Sequence, residues 1–165
     1  MGIHRGDLFE EIINHSNRIY KNKGIALIQK IATPMKPKRA GNKIVGAYYE
    51  EKSTLDYIGT CNGQAIAFDA KETSNKNSFP LKNIKDHQID FMHEWVNNGG
   101  QAFLLINFKV YRKVFRIDFN QIQPIWKRYK SNPGVRGMCS IPYDFFISNC
   151  KEIKSGRGAA LDYLI

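Results

Sequence analysis

Cysteines, long apolar runs and acidic side chains are all scarce in this sequence of 165 residues. The three cysteines, Cys61, Cys139 and Cys150, are odd in number and form no CxxC pair, which argues against a disulfide framework and a zinc site. No apolar run approaches the ~20 residues that cross a bilayer. Charged side chains within residues 1–20 also exclude the apolar core of a signal peptide. We therefore expect a cytoplasmic protein without membrane contacts.

The shortage of acids leaves a strongly basic chain. Lys and Arg total 25 against 15 Asp and Glu, which gives a net charge of +10. Such a balance favours a polyanionic partner, nucleic acid first and an anionic membrane surface second. A hydrophobic fraction of 42% indicates a folded chain, and the length fits one domain over residues 1–165.

Apolar periodicity predicts a mixed α/β fold, a small sheet flanked by helices. Helices are predicted over residues 4–23, 84–98 and 118–129. Strands are predicted over residues 25–31, 44–49, 55–60, 64–72, 101–108 and 110–117. Residues 75–83 are predicted to be a loop, and the tail after residue 131 to be irregular apart from an apolar patch at 143–147.

A basic segment interrupts this pattern. Residues 33–43 contain two prolines, one glycine and four cations, a composition that breaks regular structure and suits a protruding loop or stalk. The stalk is expected to cover about residues 34–52.

Two aspartates and a lysine occupy a predicted hairpin. Asn62-Gly63 is a strong hairpin-turn signal, and alternation along the second strand puts Asp69 and Lys71 on one face, with Asp56 on the partner strand. Two carboxylates suit a hard cation such as Mg²⁺, and Lys71 would hold a water or support charge on a phosphate oxygen. The alternative is a plain strand ion pair between Lys71 and one of the aspartates.

Helix residues supply further candidates. Gln88 falls on the apolar arc of the helix over 84–98, where a polar amide needs a partner. It points either at an active-site water or phosphate, or is satisfied by backbone groups. Glu10 and Glu11 flank the apolar arc of the first helix, and either one leans toward the sheet or is solvated.

The D-x12-D-x-K pattern from Asp56 to Lys71 resembles the PD-(D/E)xK nuclease superfamily. The wider stretches STLDYIGTCNGQAIAFDAKET (53–73) and NKNSFPLKNIKDHQ (75–88) resemble the RecU family of Holliday junction resolvases. His4-Arg5-Gly6 with Glu10-Glu11, and Thr33-Pro34 with Lys38-Arg39, fit the same family. The resemblance covers residues 4–120 or so and favours a phage or prophage version, which would act in the host cytoplasm.

The resemblance implies a restriction-endonuclease-like fold and a homodimeric endonuclease that nicks four-way DNA junctions symmetrically with Mg²⁺, Mn²⁺ substituting. It also suggests a recombinase partner. The implied metal ligands are Asp56, Asp69 and Glu10. The implied catalytic groups are these three with Lys71, Gln88 and Thr54. The implied DNA-binding residues are Arg5, Lys36, Lys38, Arg39, Lys43 and Lys76. The stalk looks shorter than in cellular relatives, which bears on junction selectivity.

Three other functions stay open on the sequence. Another nuclease of the superfamily, of the repair or restriction-like type, would use the same acids on different DNA. A DNA-binding or architectural protein would keep the acids as structural ion pairs. An RNA-binding module is less favoured, because the sequence lacks an aromatic-rich RNP-type stretch.

Overall fold

The computed structural model describes residues 7–32, 35–49 and 54–164. Predictions for Arg5 and Pro34 lie outside these ranges. The helices are α1 (Asp7–Asn22), α2 (Asp86–Asn97), α3 (Phe119–Ser131) and α4 (Tyr143–Asn149), with a 3₁₀ turn at Leu81–Asn83. The strands are β1 (Ala26–Lys30), β2 (Met35–Ala40), β3 (Lys43–Tyr49), β4 (Tyr57–Cys61), β5 (Gln64–Thr73), β6 (Ser78–Pro80), β7 (Gln101–Phe108), β8 (Lys113–Asp118), β9 (Ser140–Pro142) and β10 (Lys151–Ile153).

Six strands form the central sheet in the order β1-β4-β5-β7-β8-β10. β5 and β7 run parallel, and the other neighbours run antiparallel. The parallel pair needs a crossover, which α2 provides. The predicted mixed α/β fold, a sheet flanked by helices, is confirmed.

The predicted Asn-Gly turn joins β4 to β5. Asn62 and Gly63 both have positive φ, 50° and 79°, as a two-residue hairpin turn requires. The resulting register pairs Tyr57 with Phe68 and so brings Asp56, just before β4, alongside the middle of β5.

The sheet separates two apolar cores. One core lies under α2, α3 and α4 and includes Met92, Ile122 and Phe146, all buried. The other lies under α1 and includes Ile13 and Phe68, also buried. Because β5 and β7 are covered on both faces, most of their residues are at least partly buried. A polar side chain within these strands therefore needs a hydrogen-bond partner inside the protein.

The stalk is more regular than predicted, because the stretch over residues 33–43 contains β2; the predicted strand over residues 44–49 is confirmed as β3. β2 and β3 pair as an antiparallel hairpin that forms a separate two-stranded sheet. The described side chains over residues 36–48 are exposed, and Lys38 lies over the ring of Tyr48, 5.9 Å from its centroid. Pro37 is tolerated because a two-stranded sheet consists of edge strands only.

The tail also differs from its prediction. Residues after 131 form β9, α4 and β10, and β10 pairs with β8 at the edge of the central sheet. β9 pairs with β6 inside the segment that was predicted to be a loop. Residues 110–112, predicted as the start of a strand, instead form the turn before β8.

The last described residues fasten the chain back onto α1. The Leu161 amide donates to the Ser16 hydroxyl at 3.1 Å, and the Tyr163 amide donates to the Tyr20 hydroxyl at 2.9 Å. The Tyr163 hydroxyl donates to Asn17, and its ring is fully buried. We call residues 154–164 the C-terminal clasp. In the described part of the chain, no helix is long and apolar enough to span a membrane.

Candidate active site

Asp69 lies at the centre of the candidate site, in the middle of β5 and fully buried. Its Oδ1 accepts a hydrogen bond from Nε2 of Gln88 at 2.9 Å, and its Oδ2 lies 2.6 Å from Nζ of Lys71. The contact of Oδ2 with Lys71 is a buried ion pair. A carboxylate oxygen has more than one lone pair, so Oδ2 can also bind a further ligand.

Asp56 provides the second carboxylate. Its Oδ2 accepts the backbone N–H of Ala70 at 3.2 Å, which fixes the carboxylate beside β5. Burial raises the pKa of Asp69 to about 7; the Asp56 charge adds to this rise, and the Lys71 ammonium opposes it. The two acids therefore repel each other, and a cation between them would relieve the repulsion.

Gln88 connects α2 to the acids. Its Oε1 accepts the backbone N–H of Lys85 at 3.1 Å, while its amide nitrogen donates to Asp69. Backbone satisfies the amide oxygen, as one of the two alternatives expected, while the amide nitrogen binds Asp69; contact with a water or phosphate stays a prediction.

Glu10 faces the same region from α1, whereas Glu11 is exposed. The carboxylate of Glu10 pairs with Lys30 at the end of β1. The Tyr57 hydroxyl lies 3.5 Å from the main-chain oxygen of Glu10. Burial raises the pKa of Tyr57, and the negative charges of Glu10, Asp56 and Asp69 raise it further. Glu10 therefore lines the same cleft as Lys71, but its carboxylate is already paired with Lys30.

A cleft of about 380 Å³ opens at this point. Its lining brings together residues from α1, β5 and the segment before α2. These residues are Phe9, Glu10, Ala70, Lys71, Glu72, Asn83 and Lys85. The cleft combines cations and acids in a space that suits a phosphate group with a metal ion.

Other predicted residues lie outside this cleft. Thr54 is half-buried in the bend before Asp56, and Lys76 is exposed in the segment after β5. The predicted stalk cations Lys36, Lys38, Arg39 and Lys43 lie on the β2–β3 hairpin, outside the central sheet.

Sequence reasoning missed four residues around the cleft: Lys30, Tyr57, Asn83 and Lys85. Tyr57 directly follows Asp56, so the alternation of β4 could have placed it on the α1 face. Lys30, Asn83 and Lys85 come from segments whose approach to β5 depends on tertiary packing, and local pattern carries no signal for them.

The donor set fits a hard divalent cation better than a soft one. Asp56 and Asp69 offer carboxylate oxygens, including the buried Oδ2 of Asp69 that pairs with Lys71. A cluster of three or more His, Cys, Asp or Glu side chains is not found in the described ranges. A cation here would accordingly rely on two acids, with main-chain oxygens, water or phosphate completing its shell.

Comparison with known proteins places these residues in a family. The family model described as "Recombination protein U" (RecU) matches residues 4–165, so the similarity extends well beyond residue 120 and includes the C-terminal clasp. A protein from Staphylococcus aureus (strain JH9) named "Holliday junction resolvase RecU" is 42% identical over 166 residues, covering 97% of this chain and 78% of that protein.

Two further comparisons were informative in different degrees. A "Holliday junction resolvase RecU" from Geobacillus sp. (strain WCH70) is 39% identical and covers 97% of this chain and 81% of its own length. The solved structure of Hjc, a Holliday junction resolvase from Archaeoglobus fulgidus, aligns with a TM-score of 0.45 and 8% identity over 85% of this chain and 94% of that chain. On the family match and the two sequence relatives, the chain belongs to the Recombination protein U family.

Proposed function

We propose that this protein is an endonuclease that resolves Holliday junctions by paired, symmetric, Mg²⁺-dependent nicks. The observation that carries the proposal is the convergence of Asp56, Asp69 and Lys71 on the middle of β5, where Lys71 also lines the cleft. The relatives from Staphylococcus aureus and Geobacillus, both named Holliday junction resolvases, support the choice of substrate.

Asp56 and Asp69 would hold the metal ion, with Glu10 as a further acid if it leaves Lys30. When bound, Mg²⁺ would lower the pKa of a water and offset negative charge on the phosphate, and Mn²⁺ has the same preference for oxygen ligands.

The chain's own residues orient the reaction. Lys71, held against Asp69, lies where an ammonium stabilises charge that develops on a phosphate oxygen. Gln88 fixes the orientation of the Asp69 carboxylate through Oδ1 and leaves Oδ2 facing Lys71. Water attacks phosphorus in line and the bond to the 3′ oxygen breaks, so that the products carry a 5′-phosphate and a 3′-hydroxyl.

Substrate binding is assigned to basic surfaces. The exposed cations of the β2–β3 hairpin suit the phosphates around a junction centre, and Lys76 extends this charge near the cleft. A homodimer would supply two clefts for two incisions, since a two-fold axis matches the pseudo-symmetry of a four-way junction.

Competition between DNA forms tests the proposal against other nucleases with the same acids. A labelled four-way junction is incubated with protein and Mg²⁺ in the presence of increasing unlabelled junction or linear duplex of the same sequence. We expect unlabelled junction to suppress nicking at far lower concentration than linear duplex. Equal suppression by both forms would identify an endonuclease without junction selectivity and contradict the proposal.

A further inference from the structure

The turn between β7 and β8 presents an exposed aromatic ring among cations. Tyr111 is 40% exposed and its neighbour Val110 is 44% exposed. Lys109, Arg112 and Lys113 surround them, and we call residues 109–113 the aromatic turn. A turn that only reverses the chain does not need an exposed aromatic ring between cations, so this arrangement suggests a binding role.

The aromatic turn is held in a fixed shape. The Tyr111 amide donates to the Phe108 carbonyl at 3.0 Å, and the Arg112 amide donates to the Lys109 carbonyl at 3.3 Å. Arg112 has φ of 51°, in the left-handed region. The Tyr111 ring stacks on Tyr143 with centroids 4.3 Å apart and planes at 24°. A ring fixed before binding loses little freedom when a ligand stacks on it.

The aromatic turn lies at the same edge of the sheet as the catalytic cleft. The Lys109 amide donates to the Thr73 carbonyl at 3.0 Å, two residues beyond Lys71 on β5. Nζ of Lys109 lies 3.9 Å from Oε2 of Glu72, which lines the cleft. At about 3.3 Å per strand residue, the turn is roughly 10–15 Å from Lys71, or about three to four base-pair steps of DNA.

The loop after β5 joins the two regions into one surface. The Tyr143 amide, under the Tyr111 ring, donates to the Asn77 carbonyl at 2.8 Å. Lys76, exposed beside Asn77, is therefore on a loop that leaves β5 and is held at Tyr143, the residue on which Tyr111 stacks. Cations and one aromatic ring thus follow a single path away from the candidate active site.

Charge favours a polyanion on this path. Lys109 and Lys113 make exposed ion pairs with Glu72 and Glu152, contacts that phosphate can replace at small cost. None of the ion pairs found in the described part of the chain involves Arg112. An aromatic ring flanked by such cations is the arrangement that binds unstacked bases with their phosphates.

We propose that the aromatic turn is a second DNA-binding surface, on which Tyr111 stacks against an unstacked base at the junction branch while Arg112 contacts a neighbouring phosphate. The inference rests on the proposed function, because it explains how the same enzyme would distinguish branched DNA from continuous duplex DNA. A base is accessible for stacking at a branch, whereas in continuous duplex both of its faces are already stacked.

Binding without catalysis tests this inference. Wild type, Tyr111→Phe and Tyr111→Leu are titrated in EDTA onto a four-way junction that carries 2-aminopurine at the branch, and onto a linear duplex. We expect Tyr111→Leu to weaken junction binding about 5- to 20-fold, to abolish quenching of the 2-aminopurine fluorescence and to leave duplex binding unchanged. Tyr111→Phe should stay within about two-fold of wild type, since it keeps the ring. Leu27→Ala, which trims another exposed apolar side chain on β1, is the control and should change neither affinity.

A second variant keeps the inference testable if Tyr111→Leu proves unstable. Arg112→Gly retains the left-handed backbone and removes one charge, so it should reduce the slope of log affinity against log salt by about one. Unchanged junction affinity and quenching in Tyr111→Leu would show that Tyr111 only covers Tyr143. Equal weakening on junction and duplex would also overturn the stacking role. Nicking of junctions by wild type in Mg²⁺ is a separate measurement. It tests the proposed function, whereas the binding experiments in EDTA test only the role of the aromatic turn.

Discussion

At the scale of single residues, the site depends on the conflict between burial and charge at Asp69. The carboxyl is inside the sheet beside another acid, and one ammonium at 2.6 Å only partly compensates for it. Such a group is poorly accommodated in the metal-free protein, and a cation bound beside it would offset its charge. Instability of this kind at a functional site is common, because function and folding place different demands on one side chain.

Neutralising Asp69 should stabilise the metal-free protein at alkaline pH. With a folded pKa of about 7, above its ordinary value of 3.8, Asp69 keeps a proton that the unfolded chain loses as pH rises from about 4 to 7. Wild-type stability therefore falls across that window. We expect Asp69→Asn to raise the free energy of unfolding by about 2 kcal/mol at pH 8 and by little at pH 4. Urea unfolding in EDTA measures both. A variant less stable than wild type at pH 8 would show that Lys71 keeps Asp69 ionised at no cost.

Gln88 should matter for stability as well as for the site. Gln88→Ala leaves the buried Asp69 Oδ1 and the Lys85 N–H without their partner, which we expect to cost about 1–3 kcal/mol of unfolding free energy. Urea unfolding of metal-free protein at pH 5 measures this cost. Gln123→Ala, on the half-exposed side of α3, is the matched control and should cost under ~0.5 kcal/mol. Equal effects of the two substitutions would show that Gln88 does not hold Asp69 in place.

Particular residues show why the site was partly predictable. Asp56, Asp69 and Lys71 follow from a two-residue turn and strand alternation, both of which are local rules. The amide of Gln88 was visible because it interrupts an apolar arc. Lys30 and Lys85 were not, since each reaches the cleft only through packing of distant segments. The pairing of Glu10 with Lys30 joins α1 to β1 and has no sequence signal.

At the scale of elements, the β2–β3 hairpin carries exposed cations on a two-stranded sheet that is separate from the central sheet. The prolines and cations of residues 33–43 predicted a protruding loop or stalk without regular structure, because Pro removes a backbone donor and like charges repel. Cross-strand pairing nevertheless organises it, with Lys38 opposite Gly46 and Lys36 opposite Tyr48. Its exposed side chains leave the charge of this hairpin available to a ligand without involving the cores.

Removing charge from the hairpin should weaken junction binding and spare stability. We expect Lys38→Gln, Arg39→Gln and Lys43→Gln together to lower the slope of log affinity against log salt by about two to three. The thermal midpoint should stay within about 2 °C, because these side chains are exposed. Salt-dependent binding in EDTA measures the slope.

A control variant removes the same net charge elsewhere. Arg18→Gln, Lys21→Gln and Lys127→Gln change exposed cations on α1 and α3. This variant should alter the slope by less than about one. Matching slopes for the two triple variants would mean that net charge alone, and not the hairpin, binds the junction.

At the scale of the whole molecule, distant parts of the chain complete the sheet and its helical cover. β10 pairs with β8 over only three residues, and the C-terminal clasp packs on α1 more than 140 residues away in sequence. A three-residue strand carries too little pattern to predict, and its pairing depends on long-range closure. The mixed sheet itself was predictable. Its long strands carry either alternating or continuous apolar residues, and the predicted helices separate these strands along the chain.

The C-terminal clasp should be necessary for stability. Tyr163→Phe leaves the buried Asn17 acceptor without its donor and should cost about 1–3 kcal/mol. Tyr163→Ala also removes the ring that packs against Phe68 and Phe103 and should cost about 3–5 kcal/mol. Guanidinium unfolding at pH 7 compares the two. A loss under ~1 kcal/mol for Tyr163→Ala would show that the clasp is not part of the folded core.

Nicking of a synthetic mobile four-way junction is the most direct measurement of the central claim that Asp69 and its neighbours hydrolyse junction DNA. Wild type and Asp69→Asn are each assayed with Mg²⁺ and with EDTA, and the products are mapped on all four strands. Paired symmetric nicks by wild type in Mg²⁺ alone, and none by folded Asp69→Asn, are the predicted result. Tight junction binding by wild type without nicking in Mg²⁺ or Mn²⁺ would contradict the account and indicate an architectural protein whose acids serve as structural ion pairs.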